Sequence, residues 1–384
     1  GLTFLLPAQL AFSLWGFFVL YRLSYVYIAW LGAGATGFWG SWESQIAVFE
    51  TGGATFVLCG FILWTARRPL AAWWRRVRSG RREEGTDLLG PRAAALLLAG
   101  GIGGMAAWFM LAGAQWWAGL AAVLVFLATN LVLTRVAAEM GFMLLATSLY
   151  PFDFITALVP AAWLTGPTVS VLALSKGVLM HDFREILMPY VMNGLKACDQ
   201  ARVKLGGVVR VFAVTAVLAL VISAYGRVAT YYKYGGVNMD EWANVSGVQS
   251  MLGAGGDYLK NPPRYELMKA GDLSLAPASV AHVGVGAALM GGLLFLRAAF
   301  PWWPLHPLGF VICTCWVLYW AGMWFSIFLG WAAKSAVMRF GGASAYRRFL
   351  PFALGLVLGE SVIALVWTLI SLATGTPNVP IMPN

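Results

Sequence analysis

Ionisable side chains within long apolar stretches are the residues of this sequence best suited to chemistry. Charged groups at membrane depth are costly, so by default they mark a path for a proton, an ion or a substrate. Arg135 and Glu139 are four residues apart and share one face of a helix, where they can pair. They form either a structural ion pair or a site where the carboxylate binds a proton or cation. The full set of candidates is Glu50, Arg135, Glu139, Asp153, His282 and Glu360.

Glu360 is the strongest single candidate for a proton or cation site. It ends the run PFALGLVLGE, in which Gly355 and Gly359 are four residues apart and apolar residues continue on both sides. Solvation does not explain a carboxylate in such surroundings. Glu50 is a weaker candidate within a predicted span, and His282 lies near a span end, where histidines are more often interfacial.

The composition defines the elements that must position these groups. Of the 384 residues, 60% are hydrophobic and 11% are charged, whereas an ordinary soluble domain is roughly 25% charged. This excludes a soluble enzyme, a disordered protein and a nucleic-acid-binding domain. We predict an all-α, polytopic transmembrane helix bundle with about eight to ten spans, including broken or re-entrant helices.

Charge and polarity divide the chain into three regions. Residues 1–225 are predicted as a membrane region, 226–278 as a polar extracytoplasmic loop, and 279–384 as a C-terminal membrane region. The C-terminal region is expected to hold three spans, at about residues 279–296, 308–331 and 350–373. The basic segment KSAVMRFGGASAYRR lies between the last two of these spans, and its orientation stays open because positive-inside logic and span counting disagree.

An arginine-rich segment, 67–82, is predicted as a cytoplasmic loop because cytoplasmic loops retain basic residues. A site for anionic lipid is the alternative interpretation of these arginines. Further along, residues 181–204 combine apolar positions at helical spacing with charges on other faces. This pattern predicts an amphipathic helix on the cytoplasmic surface, kinked at Pro189.

The segment 136–175 is apolar but carries charges and several helix breakers. We predict a broken, re-entrant hairpin, since broken helices at membrane depth are tolerated where they line a cavity. One ordinary helix followed by an interfacial helix is the alternative. Asp153 is expected to cap the second half-helix, because Asp is a favourable N-cap residue. The prolines of the segment are Pro151, Pro160 and Pro167.

The sequence contains no motif that indicates a metal centre, a cofactor or an enzyme. P-loop, HExxH and Gly-x-Ser-x-Gly patterns are missing from the sequence. The chain has three histidines and four cysteines, and the cysteines are expected to be reduced thiols. No cofactor, metal or nucleic acid is predicted.

Five stretches carry a resemblance to a known family: LLPAQLAFSLW, TRVAAEMG, FPWWPLHPLGF, KSAVMRFGGASAYRR and PFALGLVLGE. Together they resemble large bacterial and archaeal multipass membrane proteins of a family described as a domain of unknown function. That family is distantly similar to the oligopeptide transporter superfamily, whose members are ion-coupled carriers of peptides or metal chelates. The resemblance implies a location in the cytoplasmic (inner) membrane and a longer N-terminal part that completes the protein.

We therefore expect a secondary transporter of a small polar solute, peptide-like or chelate-like and coupled to protons or cations. Glu360 and the Arg135–Glu139 pair are expected to carry coupling. The broken hairpin and the turn containing Trp302, Trp303 and His306 would shape the site. In the alternative interpretation these three residues are only an interfacial anchor. The expected partners are the lipid bilayer, the solute and the preceding part of the chain; the oligomeric state stays open.

Two other functions remain open at this point. A membrane enzyme acting on a lipid-linked substrate would depend on carboxylates of the polar loop, such as Asp240, Glu241 and Asp257. A non-transporting structural subunit of a membrane complex would lose only stability when Glu360 or Glu139 is neutralised.

Overall fold

The computed structural model describes most of the chain, and every regular element in the described part is a helix. The described residues are 1–30, 45–80, 89–141, 147, 149–179, 186–203, 207–239, 242–260, 276–315, 318 and 322–374. This agrees with the predicted all-α class and is compatible with a multipass membrane protein.

The α-helices are numbered here in chain order. Short 3-10 segments at Ala161–Trp163 and Gly236–Asn238 and a π-helical turn at Trp242–Ser246 accompany them. The α-helices are α1 Leu2–Leu5, α2 Ala8–Trp30, α3 Gln45–Thr65, α4 Arg67–Ser79, α5 Pro91–Leu111, α6 Trp116–Met140, α7 Pro151–Leu158, α8 Gly166–Leu179, α9 Leu187–Gln200, α10 Val208–Tyr234, α11 Gly247–Lys260, α12 Ala276–Ala299, α13 Pro307–Ile312 and α14 Met323–Thr374.

Five helices of the described part are long and apolar enough to cross a membrane, or six if the bent pair Phe49–Thr65 and Arg67–Ser79 counts as one span. The prediction of eight to ten spans is therefore too high for the described residues. One reason is that the predicted span 308–331 is divided between the short α13 and the start of α14. The five are Pro91–Leu111, Trp116–Met140, Val208–Tyr234, Val280–Ala299 and Met323–Thr374.

The chain forms two compact units. The first comprises Gly1–Ala54, Glu139–Ser148 and Val285–Asn384, and the second comprises Thr55–Ala138 and Leu149–Gly284. These units are assigned from packing and do not test the predicted division at residues 225 and 278, which stays a prediction.

In the first unit, α2 packs against α13 and α14. Every residue of α13 is buried, so this short helix forms the centre of the unit. Trp15 of α2 makes an edge-on contact with Phe328 and a tilted contact with Trp331, both on α14. Large aromatic side chains therefore provide much of the contact between α2 and α14.

The long helix α14 is interrupted at Gly342, which has φ 62° and ψ −163°. Only glycine adopts this backbone conformation without strain. The break lies inside the segment KSAVMRFGGASAYRR, predicted as a connection between two spans. Helical geometry thus continues on both sides of a single glycine break where a loop was expected.

The second unit is built around α6, the most buried of the candidate spans. Phe109 at the end of α5 is fully buried against it. Ala173 of α8 and Gly255 of α11 approach closely, and a Cβ at Gly255 would lie 2.8 Å from the Cβ of Ala173. The core of this unit also includes Ala118, Ala122, Val123, Phe152, Ile155, Val169 and Leu172.

The segment predicted as a broken hairpin, 136–175, contains the end of α6, all of α7 and most of α8. Helix α6 ends at Met140, and Gly141 follows in the left-handed region with φ 65°. Pro151 starts α7, where a proline is tolerated because the first helical N–H needs no partner. Helices α7 and α8 then pack against each other. Re-entrance into the membrane stays a prediction.

Three predicted segments differ from the structure in their local form. Residues 67–79 are the helix α4 rather than a loop, because their apolar residues recur at helical spacing. The amphipathic helix predicted at 181–204 begins at Leu187 as α9, so Pro189 lies in its first turn and removes no helical hydrogen bond. The predicted loop 226–278 contains the end of α10 and all of α11.

Candidate functional site

Glu139 and His306 face each other within the first unit. Glu139 lies in the last turn of α6, and His306 precedes α13 as its N-cap residue. The Nε2 atom of His306 lies 3.5 Å from Oε2 of Glu139. His306 is buried and Glu139 is half-buried, so the contact is partly protected from water.

Hydrogen bonding determines which nitrogen of His306 faces the carboxylate as a donor. The backbone N–H of Leu308 donates to Nδ1 at 3.2 Å. An accepting Nδ1 carries no proton, so in the neutral ring the proton lies on Nε2. The ring therefore presents an N–H group to Glu139.

Ser13 of α2 holds the backbone at His306. The His306 N–H donates to Ser13 Oγ at 2.6 Å, and Ser13 Oγ donates to the carbonyl of Gln9 at 2.7 Å. A Cβ at Gly309 would lie 2.6 Å from the Cβ of Ser13. Helix α13 thus approaches α2 closely enough that position 309 requires glycine, and this approach positions the imidazole.

Two opposing effects act on the charge of Glu139. The carboxylate lies at the C-terminal end of α6, where the helix dipole disfavours negative charge. The Nε2–H of His306 favours it.

A second polar contact lies in the second unit, within the broken segment. Lys176 of α8 donates to Asp153 Oδ2 of α7 at 2.8 Å. The same ammonium lies 4.5 Å from the ring centroid of Tyr150. Asp153 forms this ion pair in the first turn of α7, whose N-cap residue Tyr150 makes no side-chain capping bond. The expected capping role of Asp153 is therefore replaced by an ion pair between α7 and α8.

The other predicted site residues are distributed over separate elements. Arg135 is exposed on α6, one turn before Glu139. The backbone of Glu50 on α3 lies directly against Gly286 of α12. His282 is half-buried on α12. The carboxylates suggested for a lipid-linked substrate, Asp240, Glu241 and Asp257, lie outside the described residues or have undescribed side chains.

Glu360 is exposed on the surface of α14. A Cβ atom added at Gly355 or at Gly359 would have no heavy atom from another part of the chain within 4 Å. The two glycines that precede this carboxylate therefore face open space in the described structure.

The turn residues predicted to shape the site divide into two environments. Trp302 is 70% exposed, as an interfacial anchor would be. Trp303 is half-buried, and its Nε1 has no hydrogen-bond partner among the described residues. His306 is the turn residue that reaches a predicted carboxylate.

Sequence reasoning missed Ser13, Lys176 and the pairing of Glu139 with His306. Ser13 lies in the quoted run LLPAQLAFSLW, but a serine among apolar residues carries no distinctive signal. Lys176 lies directly after the predicted broken segment, where a single basic residue carries no distinctive signal. Groups of three or more His, Cys, Asp or Glu side chains that would hold a metal are absent from the described part of the chain, and none of the four cysteines forms a disulfide.

Comparison with known proteins identifies a family and no closer relative. Residues 1–383 match the model of the Family of unknown function (DUF6785). No curated protein and no solved structure matches the chain.

Proposed function

The chain belongs to the Family of unknown function (DUF6785), and we propose that it is an integral membrane secondary transporter coupled to protons. The proposed solute is small and polar, peptide-like or chelate-like, by analogy with the oligopeptide transporter superfamily, which the family resembles distantly. The proposed location is the cytoplasmic membrane of a bacterium or archaeon. The solute class rests on that resemblance, whereas the coupling site rests on geometry.

The contact between Glu139 and His306 is the observation that carries the proposal. Proton relays in membrane pumps and transporters are built from Asp, Glu and His side chains, and here a glutamate carboxylate faces an imidazole N–H. In this proposal Glu139 is the group that changes protonation. His306 stays neutral, because a proton on Nδ1 would break the hydrogen bond from Leu308.

Coupling follows from the charge of Glu139 in the two states. As a carboxylate, Glu139 attracts the Nε2–H of His306. When it takes up a proton from one side of the membrane it becomes a neutral acid, and the electrostatic part of this attraction is lost. The start of α13 is then free to shift relative to α6, and release of the proton on the other side restores the contact. Secondary transporters alternate access through rearrangements of this kind around interrupted helices.

The structure favours Glu139 over Glu360 as the coupling residue. Glu139 has a defined partner and partial burial, whereas Glu360 is exposed on α14. Among the described residues, no side chain forms a hydrogen bond or ion pair with Glu360 that would respond to its protonation. Glu360 therefore serves as the matched comparison for Glu139.

Proton flux in liposomes tests the proposal. The full chain and the variants Glu139→Gln and Glu360→Gln are reconstituted into vesicles that contain a pH-sensitive dye. A mixture of dipeptides, and separately Fe(III)–citrate, is added outside. The wild type and Glu360→Gln should acidify the interior, and Glu139→Gln should not, because glutamine cannot carry the proton.

Each alternative function has its own outcome. Equal acidification by Glu139→Gln and the wild type would remove Glu139 from coupling. If only Glu360→Gln fails to acidify the vesicle interior, Glu360, which the sequence favours, is the coupling residue instead. A structural subunit would give no solute-dependent flux in any variant, and the two substitutions would change only the melting temperature. Hydrolysis or transfer of a lipid-linked substrate, without flux, would identify an enzyme.

A further inference from the structure

Helix α4 leaves the direction of the apolar helix before it. The helices Phe49–Thr65 and Arg67–Ser79 are bent by 62° at a short break. Arg67 stabilises the break, because its guanidinium lies 4.2 Å from the ring centroid of Trp64 and donates to the Trp64 carbonyl at 2.8 Å. If the first helix crosses a membrane, α4 runs obliquely towards its surface.

The other end of α4 is held by α5. Arg92 donates to the carbonyls of Val77 and Arg78, at 3.1 Å each. These bonds satisfy carbonyl groups that a helix end leaves without partners. The position of α4 is therefore determined at both ends, by Arg67 and by Arg92.

The apolar face of α4 has little protein to pack against. Leu70, Trp73, Trp74 and Val77 follow one another at i, i+3, i+4 and i+7, so they form one stripe. No residue of α4 is buried, and Leu70 and Trp74 are 43% and 49% exposed. A stripe that contains two tryptophans matches the hydrocarbon–headgroup boundary, where tryptophan is enriched.

The opposite face of α4 is cationic. Arg68, Arg75 and Arg76 lie on it, and the helix sequence RRPLAAWWRRVRS contains no acidic residue. Arg68 and Arg75 are exposed, and neither forms an ion pair with an acidic side chain in the described ranges. Two guanidinium groups are therefore available to an anion from outside the protein.

We infer that α4 lies in the membrane interface and binds the phosphate groups of anionic phospholipids. The apolar stripe requires hydrocarbon and the arginine face requires negative charge, and an anionic leaflet supplies both on opposite sides of one helix. Guanidinium groups suit phosphate because they donate two parallel hydrogen bonds. A nucleic acid or an acidic soluble protein would satisfy the arginines but leave the tryptophan stripe in water.

Photocrosslinking in vesicles tests this inference directly. The full chain is reconstituted into phosphatidylcholine vesicles that contain equal traces of photoactivatable phosphatidylglycerol and photoactivatable phosphatidylcholine. Adducts are located by mass spectrometry of peptides. In the wild type, residues 67–79 should carry more phosphatidylglycerol than phosphatidylcholine, and high salt should lower this ratio.

Two double variants distinguish the effect of the α4 arginines from the effect of lowering the net positive charge of the protein. Arg68→Gln/Arg75→Gln should lower the ratio by up to about fivefold per arginine. Arg347→Gln/Arg348→Gln removes two exposed arginines from α14 and should leave the ratio at residues 67–79 unchanged. Arg68→Lys/Arg75→Lys should retain most of the wild-type ratio of phosphatidylglycerol to phosphatidylcholine labelling, because the positive charge is kept.

Three results would overturn the inference. They are equal labelling of residues 67–79 by the two lipids, a wild-type ratio in Arg68→Gln/Arg75→Gln, and the same loss in both glutamine variants. Solute flux is not part of the readout, so the inference stands or fails separately from the proposed transport.

Discussion

The ammonium of Lys334 lies 4.9 Å from the ring centroid of Tyr346, although both residues belong to α14. In a straight α-helix, residues twelve positions apart are separated by about 18 Å along the axis and point in different directions. The contact therefore requires the chain to turn back at Gly342, where the backbone leaves helical geometry.

The short helix α1 lies against both arms of α14. Phe4 stacks on Tyr346 with 5.2 Å between ring centroids, and a Cβ at Gly330 would lie 2.6 Å from Cβ of Thr3. Lys334 is buried and donates to the carbonyl of Leu6. A cation at the end of a helix satisfies carbonyl groups and the helix dipole together, so Lys334 connects α1 to the bend.

Replacement of Gly342 should destabilise the protein. An alanine at φ 62° and ψ −163° occupies a region that costs about 1–3 kcal/mol for a residue with a Cβ. We expect Gly342→Ala to lower the melting temperature in detergent. Gly359→Ala is the control, since a Cβ there meets nothing within 4 Å; it should be neutral or stabilising. Equal effects of the two substitutions would argue against the bend.

Replacement of Lys334 should release α1. Lys334→Met leaves the Leu6 carbonyl without its donor in a buried site, which costs about 1–3 kcal/mol. Hydrogen exchange of the amides in residues 2–6, measured by mass spectrometry, should accelerate. Lys196→Met is the matched control, because Lys196 donates to the Ala138 carbonyl but is exposed, so water can replace it. Unchanged exchange in Lys334→Met would show that α1 is held by its apolar contacts alone.

The contact between Gly309 and Ser13 should be sensitive to size. An alanine at position 309 would place its Cβ 3.0 Å from the Ser13 carbonyl carbon as well as against the Ser13 side chain, and the two helices must separate. Overpacking of this kind costs about 1–3 kcal/mol. Thermal unfolding should show this loss for Gly309→Ala and not for Gly100→Ala, where a Cβ meets open space.

Gly309→Ala should also weaken proton coupling, because the approach of α13 to α2 positions His306. A variant with reduced stability and wild-type proton flux would separate the packing of α13 from the proposed role of His306.

The ion pair between Asp153 and Lys176 should show energetic coupling. The side chains are 30% and 24% exposed, so water screens the pair only in part. A double-mutant cycle with Asp153→Asn and Lys176→Met should give an interaction energy of roughly 0.5–3 kcal/mol. Additive effects in thermal unfolding would show that the pair contributes nothing to the association of α7 and α8.

Sequence alone was sufficient for features that depend on near neighbours along the chain. The apolar composition predicts a helical membrane class, because a backbone in lipid must satisfy its own hydrogen bonds, and the all-helical structure is compatible with that class. Pro151 begins a new helix within the segment 136–175, because its fixed φ and missing N–H suit the first position of a helix. The identity of Glu139 and His306 as residues to examine also came from the sequence. For the described residues the number of spans was overestimated, because hydropathy does not reveal where a stretch such as 308–331 breaks.

Only the tertiary structure decided which of these residues meet. Helical spacing predicts that Arg135 and Glu139 share a face of α6, and this pairing stays a prediction; the fold also brings His306 to Glu139 and fixes its tautomer through Leu308. The sequence favoured Glu360, but its exposure depends on which face of α14 is covered. Periodicity relates residues within a few turns of one helix. Contacts between distant segments depend on how whole helices pack, and here on the close approach that Gly309 permits and the bend that Gly342 allows.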